Sequence, residues 1–135
     1  MEVIPYEQAQ FLHKISFVGR YTGLIGILNG YWSLGTGVCI GSYIAEAYWK
    51  QPTYGFLRTL DMTWIQLLIW MHLYTAYSSA VFLLYVCIQL AGAGAYGISW
   101  HYHTQGDHWK GAYAHACVHG CSHLSLLLLY FSWIW

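Results

Sequence analysis

Residues 64–87, WIQLLIWMHLYTAYSSAVFLLYVC, set the reading of the whole chain. They lie in an unbroken stretch between Asp61 and Asp107 that holds no aspartate, glutamate, lysine or arginine. About 20 mostly apolar residues are enough for a helix to cross a bilayer. The stretch therefore predicts a span near 63–88 and a surplus beyond it, where Gly92, Gly94 and Gly97 are expected to weaken helical order. His72 stands in the middle of that crossing. An ionisable ring at bilayer depth needs a metal, a haem iron or a polar group on a neighbouring helix as partner, and so marks a candidate functional site. Its plainer role is a hydrogen bond between helices.

The composition agrees with a membrane setting. The chain is 58% hydrophobic and 19% aromatic but only 7% charged, against about 25% charged residues in ordinary soluble domains. It reads as one all-α integral membrane domain over residues 1–135. The charged side chains gather at 2–20, 46–61 and 107–110, which leaves two further uncharged runs, Tyr21–Ala45 and Gly111–Trp135. Three transmembrane helices are expected, near 21–45, 63–88 and 111–134, preceded by a short interfacial N-terminal helix over residues 3–15. Trp32, Trp49, Trp64, Trp100, Trp109, Trp133 and Trp135 fall mostly near the expected span ends, where aromatic residues anchor to the interface.

Partners and location follow in outline. The lipid bilayer is one partner, and a net charge of zero argues against nucleic acid as another. The first twenty residues carry Glu2 and Glu7 and no compact apolar core, so neither a secretory signal nor an Arg-rich transit peptide is visible. The bacterial and mitochondrial inner membranes remain, and low charge with many aromatics suits the mitochondrial one.

Three groups of residues carry candidate chemistry. Ser16 and Arg20 are four apart and share a helix face at the rim of the first span, presenting a hydroxyl and a fixed cation. Arg20 taken alone reads as a snorkelling anchor. His115, His119 and His123 recur every fourth residue, one above another on a helix face. Three imidazoles in a span are costly unless they meet ligands or other polar groups, and the spacing leaves open which. Before that span, His101, His103 and His108 share a polar loop with Asp107, which could bind a metal although its spacing fits no structural zinc pattern. Cys117 and Cys121, also four apart, read as packing residues. Six glycines between Gly23 and Gly41 allow close helix approach and remove bulk that would exclude a flat cofactor.

Residues 16–23, SFVGRYTG, resemble the S-x-x-H-R-x-[ST]-G signature that opens the first membrane helix of the large cytochrome b anchor subunit of succinate dehydrogenase, complex II. His72 follows Arg20 at close to the interval at which that family carries its haem-ligating histidine. The resemblance implies three spans, haem b with His72 on its iron, and ubiquinone bound near Ser16 and Arg20. His115, His119 and His123 are the internal alternatives as haem ligands. It also implies a second membrane-anchor subunit with iron–sulfur and flavoprotein partners, in an oxidoreductase complex to which this chain brings no catalysis alone. Gly19 stands where the family has histidine, and Ser78 and Ser79 stand where it has Arg-His.

A second resemblance joins Ala45–Pro52, His72 and the ending Tyr130–Trp135 to the last three helices of cytochrome c oxidase subunit III, which implies a structural role without a redox centre. Three classes of function therefore compete: a haem- and quinone-binding anchor, a structural respiratory subunit, and a small metal or proton conduit built on the histidine stripe.

Overall fold

The structure is a computed structural model that describes residues 4–132. Among these, every regular element is helical. Helix α1 (Tyr6–Ser16) starts after Pro5 and passes through Phe17 directly into α2 (Val18–Leu28). The chain reverses at Asn29–Tyr31 and runs back as α3 (Trp32–Lys50). Helix α4 (Phe56–Tyr77), α5 (Phe82–Thr104) and α6 (His108–Tyr130) complete the order.

Two expected spans are not single helices. The stretch near 21–45 is a helical hairpin, because Asn29 and Gly30 end α2: the Asn29 side-chain amide donates to the Ile25 carbonyl at 2.8 Å, and Gly30 takes a φ of 87°. Glycine enters that left-handed region without steric cost. At 11 residues, α2 is only about 16 Å long. The stretch near 63–88 is broken as well, at Ser78–Val81. There the Ser79 hydroxyl donates back to the Ala76 carbonyl at 2.8 Å, drawing the backbone out of helical pairing. Gly92, Gly94 and Gly97, expected to loosen the chain, lie inside α5 instead.

Among the described residues α5 is the one helix long and apolar enough to cross a membrane, with a mean hydropathy of 1.5. Helix α6 covers most of the third expected span. Asp107 caps its start by accepting from the Lys110 backbone N–H at 3.2 Å. Trp133 and Trp135 lie outside the described residues.

The helices pack as two hairpins with a bridge. α5 lies along α6, α2 along α3, α4 against α3, while α1 lies across α3 and α6. The N-terminal helix expected at the surface is docked: Ala9 and Leu12 are fully buried against Ala45, Tyr48 and Trp49. A second apolar cluster joins Leu34 and Val38 of α3, Ala76 of α4, Tyr85 of α5 and Leu126, Leu129 and Tyr130 of α6. The outer faces stay apolar, with Trp70 and Tyr74 on α4 and Leu83, Leu90 and Ile98 on α5 all exposed.

Candidate functional site

Helix α6 carries the densest chemistry. Its four-residue spacing sets His115, His119 and His123 on one face, and packing brings that face against Gly19 of α2 and Trp49 of α3. The rings stand in file: His115 and His119 have centroids 5.3 Å apart, and His119 and His123 are 6.2 Å apart with planes within 26°. At one end His115 meets Trp49 edge-on at 5.3 Å and Tyr96 at 6.1 Å. At the other end His123 lies over Gly19, where an added Cβ would sit 3.6 Å from its Cε1 and 2.9 Å from Ser42 Cβ. Only a residue without a side chain leaves that space, so Gly19 lets α2 approach Ser42 of α3 and His123 of α6.

The file is short of protein partners. Nε2 of His119 and both ring nitrogens of His123 are buried with no hydrogen bond among the described residues. Buried polar atoms are nearly always paired, so three orphaned nitrogens in one file call for a functional account.

A charged cluster flanks the file. On α3, Glu46 lies between Ser42, which stands beside Gly19, and Trp49, which meets His115. Its carboxylate accepts a hydrogen bond from Arg20 Nη2 and lies 3.4 Å from Lys50 Nζ and 3.6 Å from His13 Nε2. The Arg20 guanidinium also stacks over Phe17 at 4.3 Å and Tyr43 at 3.9 Å. Burial lowers the pKa of His13 below the ordinary imidazole value, and Lys50, Arg20 and Lys14 lower it further. His13 is thus neutral at pH 7, and the negative charge of Glu46 is met by Arg20 and Lys50.

Ser16 closes α1 and Arg20 lies in the first turn of α2, on the other side of Phe17, and both are engaged within the chain. Ser16 Oγ donates to the Leu12 carbonyl at 3.0 Å, and Arg20 is held by Glu46. Local sequence pattern does not single out Glu46 as the partner of Arg20. The available signal was its position as the single acidic residue between Glu7 and Asp61.

His72 is not part of the file. It is buried on α4, with Nδ1 2.8 Å from the Leu68 carbonyl and Nε2 2.9 Å from the Tyr130 hydroxyl. One tautomer satisfies both contacts: Nδ1–H donates to the carbonyl, and the phenol donates to Nε2. The room that glycines provide on α2 is filled, since a Cβ on Gly26 would lie 2.7 Å from the Tyr130 ring. As arranged, both ring nitrogens of His72 have partners within the chain, so neither is free for an iron among the described residues.

The cysteines are free, and Cys121 packs against Gly92, where a Cβ would meet its own at 3.2 Å. No group of three or more histidine, cysteine, aspartate or glutamate side chains converges as a ready metal site among the described residues.

These features define an all-helical chain with one candidate membrane span and an interior file of histidines. No known family model matches it, and neither a curated protein nor a solved structure does so.

Proposed function

We propose that the chain is a membrane subunit that passes protons along the file His115, His119 and His123. The observation that carries this reading is the set of orphaned interior nitrogens on His119 and His123. A neutral imidazole donates at one nitrogen and accepts at the other, so successive rings hand a proton on by transfer and ring reorientation. Centroid spacings of 5.3 and 6.2 Å suit transfer through an intervening water. In this reading α4, α5 and α6, of 22, 23 and 23 residues, make the three crossings at about 33–35 Å each. Their apolar outer faces supply the lipid contact.

The test is proton flux in vesicles. Full-length protein reconstituted with a trapped pH-sensitive dye should dissipate a pH gradient at least tenfold faster than protein-free vesicles. His119→Leu, checked for helix content, should return the rate to background. Tight wild-type vesicles, or a His119→Leu rate equal to wild type, would overturn the reading.

The complex II anchor ranks second. It is supported by the resemblance of residues 16–23 and by the Nδ1 bond of His72 to the Leu68 carbonyl, which is how the second nitrogen of a metal-bound imidazole is usually fixed. It places haem b at His72 and ubiquinone near Ser16 and Arg20, in an inner-membrane assembly with a second anchor, iron–sulfur and flavoprotein subunits. It requires a partner subunit to draw Tyr130 off Nε2. A b-type band in the reduced-minus-oxidised spectrum of the purified assembly is its test.

A further inference from the structure

The expected polar loop is mostly helix: His101 and His103 lie in the last turn of α5 and His108 opens α6, with Asp107 in the short turn between them, and the fold brings only His103 and His108 face to face. Their Nδ1 atoms are 3.4 Å apart, with ring planes 31° from parallel. Local structure fixes the pair. Gly106, at a φ of 81°, makes the tight reversal, and Ser99 Oγ donates to the Gly111 carbonyl at 2.8 Å, locking α5 to α6 one turn below. The His103 ring rests on Gly111, where an added Cβ would meet it at 2.6 Å. His101 is exposed, with its ring beside Tyr102, and the Asp107 carboxylate is taken up by Lys110 Nζ at 2.7 Å.

A separation of 3.4 Å is long for a hydrogen bond donated by an N–H, which runs at about 2.7–3.2 Å. It matches the edge of a tetrahedral site instead: two metal–nitrogen bonds of about 2.0–2.1 Å at the tetrahedral angle put the nitrogens about 3.3–3.4 Å apart. We propose that Nδ1 of His103 and Nδ1 of His108 form a two-histidine site for a divalent transition metal of the zinc or copper class. Two imidazoles favour these borderline ions over calcium or magnesium, which take oxygen ligands. Both rings are half-buried at the end of the hairpin, so an ion reaches them from solvent and solvent completes its coordination. The bound ion ties the end of α5 to the start of α6. The site is separate from the file on α6 and does not depend on the proton-carrying reading.

The experiment is zinc calorimetry on the full chain in detergent after chelator treatment, with copper(II) electron paramagnetic resonance as a second probe. One zinc per chain should bind, and the copper spectrum should show coupling to two imidazole nitrogens. His103→Ala and His108→Ala should each weaken zinc at least tenfold, and Gly111→Ala should do so by lifting the His103 ring. His101→Ala and His119→Leu should bind as wild type. The site is refuted if His103→Ala and His108→Ala retain wild-type affinity, because the ion is then held elsewhere, for example by the exposed Cys117. Equally, a copper spectrum without nitrogen coupling refutes it. His108→Gln, which keeps a polar side chain at the start of α6, serves as the folding control and should lose zinc while keeping wild-type helix content.

Discussion

His72 and Tyr130 show how a single buried pair redirects a functional expectation. An imidazole at this depth needs a partner for each nitrogen, and the chain supplies both, one from its own helix and one from the end of α6. Tyr130→Phe keeps the ring over Gly26 but removes the donor that Nε2 has among the described residues. A buried acceptor left unpaired costs about 1–3 kcal/mol. Chemical denaturation in mild detergent should show a loss of that size for Tyr130→Phe, and a second substitution, His72→Leu, should restore part of it, since no acceptor then remains unmatched. A fully stable Tyr130→Phe would mean that Nε2 finds another donor. Arg20 follows the same logic. Its cation pairs with a carboxylate 26 residues further on. No helical periodicity encodes that pairing.

At the scale of elements, glycines decide where helices touch. On Gly23 a Cβ would lie 2.6 Å from the Gly35 carbonyl oxygen and 2.9 Å from the Cys39 backbone nitrogen, so the clash is with backbone and no rotamer change relieves it. Gly94, within α5, meets nothing within 4 Å. Gly23→Ala should therefore destabilise the α2–α3 hairpin by about 1–3 kcal/mol, as overpacking does. Gly94→Ala should be neutral or stabilise by up to about 1 kcal/mol through helix propensity. Melting of the two variants side by side measures the contrast, and equal effects would contradict the close approach of α2 to α3. The same hairpin explains why an uncharged run long enough for one span became two helices. Asn29 and Gly30 favour reversal, and the small residues on both sides make the folded-back arrangement pack.

For the molecule as a whole, α1 docks through a patch that mixes apolar burial with charge. His13 faces Glu46, Arg20 and Lys50 across that patch and has Lys14 beside it, and its pKa in the folded chain is lowered, first by burial and then by the cations. Above the ordinary histidine pKa of about 6.5, folded and unfolded chains both hold it neutral. As pH falls below that value the unfolded chain takes up a proton that the folded chain resists, so stability declines with acidification. Thermal melting at pH 7.5 and 5.5 should show the lower value at pH 5.5, and His13→Gln should narrow the gap; an unchanged gap in His13→Gln would assign the pH dependence to other groups. From local patterns alone the sequence determined that the chain is helical, that helices lie near 3–15 and 111–134, and that His115, His119 and His123 share a face, because four-residue periodicity acts within a few turns. Tertiary structure alone decided that this face turns inward, that Arg20 meets Glu46, that His72 meets Tyr130, and that of three loop histidines only His103 and His108 approach each other. Those outcomes depend on the turns at Gly30, Ser78–Val81 and Gly106 and on which backbones glycine lets together, and contacts across such reversals leave no periodic trace in the chain.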